Sequence, residues 1–173
     1  MSKPSAKLSV LVGKDFACVK IAGRANYLSS PDFKTLLSEL TGKGYRHFVI
    51  DLSECVLMDS TFLGVLAGFG LKMPPVKPGR EGIELFNANA RVAELLENLG
   101  VARLVKMTGG ALQLPDDVKI GAPEPASPTH EEITRTCLEA HQTLMKMNPE
   151  NAARFKDVAR FLAEDLKTLE RSK

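Results

Sequence analysis

The segment FVIDLSECVLMDSTFLGVLAGFGL, residues 48–71, constrains the fold more than any other part of the chain. The apolar run Phe48-Val49-Ile50 ends in Asp51, and a short loop leads to Met58-Asp59-Ser60-Thr61. An apolar stretch from Phe62 to Leu71 follows directly. A buried strand that feeds a loop and then an apolar helix is half of a layered α/β unit. The junction puts the Ser60 hydroxyl at a helix N-terminus, where free N–H groups and the helix dipole favour an added negative charge. A phosphate on Ser60 would bring charge and acceptor oxygens to that point and reshape a binding surface.

The flanking patterns extend this unit. Leu8–Val12 and Phe16–Ile21 read as two strands joined by the turn formers Gly13-Lys14-Asp15. Ser30-Pro31-Asp32 predicts a helix start, with Ser30 as N-cap and Pro31 in the first position. Phe33, Leu36, Leu37 and Leu40 then recur at helical spacing until Gly42 and Gly44. Residues 46–51 form a third strand whose continuous apolar character suits a central position. In the helix after Ser60, Leu63, Leu66 or Ala67, and Gly70 share one side, while Gly64 and Gly68 are expected to let it approach the sheet. Pro74, Pro75 and Pro78 predict a stiff exposed loop.

Ile83–Phe86 is a fourth strand, and Asn89 or Asn87 caps a helix carrying Val92, Leu95, Leu96 and Leu99 up to Gly100. Val101–Met107 supplies another short strand. A hairpin followed by alternating helices and strands implies an α/β fold, with a mixed four- to five-stranded sheet and covering helices, over residues 1–114.

Residues 115–128, with four prolines, read as a linker. Residues 129–173 change to two amphipathic helices. Thr129 with Glu132, or Ser127 with Pro128, opens the first, with the stripe Ile133, Cys137, Ala140 and Leu144. Asn148-Pro149 closes it and starts the second, lined by Phe155, Val158 or Ala159, Leu162, Leu166 and Leu169. The short connection predicts an antiparallel pair. A lone pair buries little surface, so its stripes must meet the main domain, a second copy of the chain in a homo-oligomer, or a partner.

Asp59-Ser60-Thr61-Phe62-Leu63-Gly64, after an apolar strand ending in Asp51, resembles the signature of STAS-domain anti-sigma-factor antagonists. Leu85-Phe86-Asn87 followed by Val92, Leu95, Leu96, Leu99 and Gly100 is similar to that family's last strand–helix unit, and Gly23-Arg24 to its second strand and turn. The similarity spans roughly residues 6–114 and does not include the helical tail. The resemblance implies a STAS-like fold and a serine, here Ser60, phosphorylated by an anti-sigma-factor kinase. The family often has a small residue where Phe62 stands and an acidic one where Asn26 stands. Asn26 is expected near the switch, with Asp59, Ser60 and Thr61 as the partner-binding surface.

Other classes find little support. A net charge of +2 is too small to argue for nucleic acid or an anionic membrane as partner, and neither is expected. The longest apolar run, Phe62–Leu71, is half a membrane crossing. Cys18, Cys55 and Cys137 have neither metal-ligand nor disulfide spacing, which suits a reducing cytoplasm. Cys18 reads as a small core residue. There is no GxxxxGK[ST] loop, no GxSxG elbow and no HExxH pair, so no cofactor, catalytic residue or metal site is expected. His47, His130 and His141 lie at a strand start and in the tail, with no evident route to Ser60. Asp59 is expected to shape the turn or the kinase contact, and Asp51 to be structural or to line the same surface. The expected function is therefore partner switching by a non-enzymatic regulator. Its partners are an anti-sigma factor or related serine kinase, which phosphorylates Ser60, and a phosphatase that resets it. The alternative is an unphosphorylated STAS scaffold, or an accessory subunit of a signalling assembly or lipid transporter.

Overall fold

Lys7–Val12 (β1) and Ala17–Ala25 (β2) form an antiparallel hairpin in which Val10 faces Val19. The computed structural model describes residues 5–73, 82–114, 119–121 and 127–172, with 119–121 as backbone alone. The expected proline loop around Pro74, Pro75 and Pro78 lies outside these residues, as does most of the expected linker. Beyond the hairpin the sheet becomes parallel. β2 pairs with His47–Asp51 (β3), and β3 pairs with Gly82–Phe86 (β5). Phe48, Val49 and Ile50 of β3 are all buried, which is why this strand reads as a continuous apolar run.

Seven strands occur among the described residues, against the four to five expected. The two additional ones, β4 and β7, are very short, as is the expected last strand. Cys55–Met58 (β4) lies within what reads as loop and pairs parallel with the end of β2, past an irregularity at Gly23/Arg24. Within 101–107 the chain first makes a 3-10 turn, Ala102–Leu104, before Lys106–Thr108 (β6) joins β5. Lys119–Gly121 (β7), inside the expected linker, pairs antiparallel with β1. Three or four residues carry too little alternation to signal a strand on their own; their pairing is set by neighbours.

Ser30–Gly42 (α1) and Ser60–Lys72 (α2) meet through Phe33 and Phe62, whose stacked rings are 4.3 Å apart and fully buried. The α1 N-cap is Ser29, one residue earlier than expected, and it makes no side-chain cap. The serines are spent elsewhere: Ser29 Oγ accepts from the Ala6 N–H and Ser30 Oγ donates to the Asn26 carbonyl. Ala90–Asn98 (α3) is capped by Asn89, whose side chain accepts from the Val92 N–H, and stops at Gly100 with φ +78°.

His130–Met147 (α4) and Pro149–Arg171 (α5) form the helical pair. α4 opens with a complete Thr129/Glu132 capping box, and Asn148 caps α5 ahead of Pro149. The pair folds back onto its own chain. α4 packs against α1 and α2, and Ala140 and Leu144 enter the common core. Asn151, 0% exposed, fixes the elbow by donating to the Leu99 carbonyl at the end of α3 and to the Leu144 carbonyl of α4. Lys34 of α1 pairs with Glu139 at 2.6 Å, and Arg135 holds the far end of α5 through Glu170 at 3.1 Å. The stripe on α5 is only half covered: Phe155, Ala159, Leu162, Leu166 and Leu169 are partly buried, whereas Val158 and Phe161 are exposed.

Two substitutions test these joints. Phe62→Ala should leave a cavity under Phe33 and cost about 3–5 kcal/mol of stability in urea unfolding. Asn151→Ala strands two main-chain carbonyls and should cost about 1–3 kcal/mol, with the elbow losing amide protection first.

Candidate functional site

Ser60 takes its position from the pairing of β4 with β2. That short ladder brings Met58 beside Ala25, and the Asp59 N–H donates to the Ala25 carbonyl at 2.9 Å. Asp59 then serves two chains at once. Its Oδ1 accepts from the Phe62 N–H at 2.8 Å, capping α2, and its Oδ2 accepts from the Tyr27 N–H at 2.7 Å. The carboxylate thus ties the turn after β2 to the start of α2. Burial pushes its pKa above the usual carboxylate value, while the hydrogen bonds from Phe62 and Tyr27 pull the other way.

Asn26 lies in that same turn, next to the residue that Asp59 holds. Its side-chain oxygen accepts from the Leu28 N–H and its carbonyl receives Ser29 N–H and the Ser30 hydroxyl. Asn26 therefore sits near the site, with its amide oxygen engaged in shaping the turn. Asp51 stands apart: its Oδ1 accepts from the N–H and the hydroxyl of Ser53, closing the β3–β4 turn. Thr61 is buried and its side chain bonds the Cys137 thiol of α4.

The expectation that no histidine reaches Ser60 is overturned. His141 of α4 places Nε2 2.9 Å from Ser60 Oγ, and its Nδ1 lies 2.7 Å from the Cys137 carbonyl. A carbonyl can only accept, so Nδ1 carries the proton; in the neutral ring Nε2 is then the acceptor and the Ser60 hydroxyl donates to it. His141 is 5% exposed, and its ring meets Phe155 of α5 edge-on at 5.0 Å. Behind it, a methyl group on Gly64 would lie 2.5 Å from the Ala140 carbonyl oxygen, so only glycine admits α4 at this distance. Gly64 accordingly serves the approach of α4, rather than that of the sheet, and Gly68 has open space.

The sequence does not announce His141, because its partner is 81 residues away and the tail reads as a separate unit. A signal exists: His141 follows Cys137 by four and Ala140 by one, which places it on the apolar stripe of α4. Serine donating to a ring whose other nitrogen is anchored has the order of an activated nucleophile. The cavity of about 210 Å³ between α1, α2 and α4 is lined by Gly64, Val65, Gly68 and Ala140, however, and not by Ser60 or His141. Burial also raises the Cys137 thiol pKa, helped by the nearby Asp59 charge and opposed by the bond to Thr61, and it carries Cys18 up to about 11. No group of three or more His, Cys, Asp or Glu is placed to hold a metal among the described residues. No described helix is long and apolar enough to cross a membrane.

The STAS domain family matches residues 7–110. No curated protein matches the chain. Among solved structures, an anti-sigma factor antagonist from Mycobacterium paratuberculosis superposes with a TM-score of 0.52 at 18% identity, over 62% of this chain and 89% of that one. The unphosphorylated form of the anti-sigma factor antagonist SpoIIAA gives a TM-score of 0.49 at 12% identity, over 60% of this chain and 88% of that one. The helical pair α4–α5 lies beyond the family match.

Asp59→Ala should lose both the cap and the tie to Tyr27, lowering stability by about 1–2 kcal/mol in denaturant titration. A second test uses pH. Because burial raises the Asp59 pKa in the folded state, the folded chain holds that proton more tightly than the unfolded one. Stability from this group is present below the unfolded value and is lost as pH rises through the folded one. Asp59→Asn should therefore gain on the wild type as pH rises from about 3.5 toward neutral; a constant difference would contradict the burial assigned to Asp59.

Proposed function

Because the chain belongs to the STAS-domain family, we propose that it is a partner-switching regulator of the anti-sigma-factor-antagonist type, acting without catalysis of its own in the cytoplasm. The observation that carries this reading is the placement of Ser60 in the first turn of α2, beside a neighbouring carboxylate that is already committed as the cap. Asp59, Ser60 and the turn at Asn26 lie together and half-buried, and with Thr61, which is buried beneath α4, they would make the partner-binding surface. Unphosphorylated, that surface would bind an anti-sigma factor or related serine kinase and release the factor it restrains.

In the kinase reaction Ser60 Oγ bonds to the γ-phosphorus of ATP as the bond to ADP breaks. The hydroxyl proton passes to a base of the kinase, and ADP leaves. The added dianion introduces charge and desolvation cost at the contact, and the complex weakens. A phosphatase restores the hydroxyl. Phosphorylation at Ser60 gains support from its position in the first turn of α2, where the helix dipole favours an anion.

A second reading, a constitutive scaffold or accessory subunit, is favoured by one specific feature: the Ser60 hydroxyl is already bonded within the chain, to a buried histidine. Incubation with the cognate serine kinase and labelled ATP separates the two. Wild type should take up label and Ser60→Ala should not; equal labelling would remove Ser60 from its role. For a scaffold, Ser60→Ala and Ser60→Asp should bind the partner alike, whereas the switch predicts that only Ser60→Asp loses affinity.

A further inference from the structure

The helical pair occupies the surface that the switch requires. Ser60 Oγ is bonded to His141, Thr61 to Cys137, and the α2 backbone at Gly64 is in contact with the α4 backbone at Ala140. These contacts fall on three of the first five residues of α2, the turn that a kinase or partner would have to reach. Phe155 of α5 backs the histidine from outside, so the covering layer is two helices deep at that point.

We propose that α4–α5 is an intramolecular gate over Ser60, closed in this structure, which must leave α2 before a partner or kinase can engage. The inference rests on the reading of Ser60 as the acceptor for its regulatory meaning, although the gate itself is a matter of access. Ser60 is half-buried, and with its hydroxyl bonded to a buried ring and a helix lying across it, the path of an incoming phosphorus to its oxygen is obstructed by α4. A protein surface that binds there must likewise displace the helix, because both cannot occupy one face.

The hairpin is built to come away as a unit. It is continuous through the Asn148 elbow, and its polar ties to the other described residues include His141 to Ser60, Cys137 to Thr61, Asn151 to the Leu99 carbonyl, and Lys34 with Glu139. The last is half exposed on both sides and held against solvent competition. The outer helix leaves Val158 and Phe161 exposed at 42% and 57%, so much of the hairpin contributes little to the common core. Elements of this kind open locally while a central sheet stays closed. The affinity a partner shows is then reduced by the fraction of molecules open, and anything that opens the gate raises it.

The contact at Gly64 supplies a narrow lever. A methyl group there would clash with the Ala140 carbonyl and Cβ, which lie on α4, and it would favour the α2 helix itself. Gly64→Ala should therefore expel the hairpin without damaging the sheet. The readout is Ser60→Cys in the full chain, alkylated with iodoacetamide and followed by mass spectrometry of the peptide that carries position 60. Adding Gly64→Ala should speed alkylation there by about tenfold or more, with loss of amide protection across 130–171 and retained protection in β3 and β5. An unchanged rate, or a rate in Ser60→Cys alone equal to that of a free cysteine, would overturn the gate.

If Gly64→Ala costs the sheet its protection, Ala140→Leu presses on the same contact from the α4 side and carries the same two outcomes. The kinase assay is kept separate. A gate that opens as described over a Ser60 that its kinase never labels, in the closed or the opened chain, would refute the acceptor reading and leave the gate standing.

Discussion

The approach of α4 to α2 at Gly64 governs where everything around Ser60 lies. With no side chain on Gly64, the two helices meet backbone to backbone at Ala140. One helical residue further on, His141 is delivered to Ser60, and one turn earlier Cys137 is delivered to Thr61. The contact is anchored from below by the Phe33–Phe62 stack, which fixes α2 against α1, and at the elbow by Asn151. A larger residue at position 64 would move all of these together, because helix packing is set by the closest contact.

Asp59 supplies the second constraint. By accepting from both Tyr27 and Phe62, it makes the start of α2 and the turn after β2 a single rigid piece. Ser60 is next to this carboxylate without being bonded to it, so its hydroxyl is left for the helix that crosses above. The aspartate thus acts on the serine by position, and the side chain that accepts the serine's hydrogen bond is His141 of α4.

Much of this fold is legible in the sequence where patterns are local. The continuous run Phe48–Ile50, the cap at Asn89, the capping box at Thr129 and the Asn148-Pro149 joint each carry a self-contained physical signal. β4 and β7 are not legible, since three or four residues have no periodicity of their own and gain strand geometry from the neighbour they pair with, and β6 is legible only as the end of a longer expected strand, Val101–Met107. Ser60 and Asp59 stand out because a strand–loop–helix junction announces them. His141 does not, because nothing in the spacing of the tail says which surface its stripe will cover. The function of Gly64 was likewise readable only as a close approach, and its partner had to come from the tertiary structure.

The extension beyond the family match is what distinguishes this chain within the STAS architecture. It places His141 and Phe155 over the start of α2. The central claim, that His141 covers Ser60 in solution, is tested most directly by nuclear Overhauser contacts in the full chain. The account predicts cross-peaks between the His141 ring protons and the Ser60 β-protons, together with contacts from the Phe155 ring to the same imidazole. Sharp, solvent-exposed resonances for His141 with no cross-peak to Ser60 would contradict it.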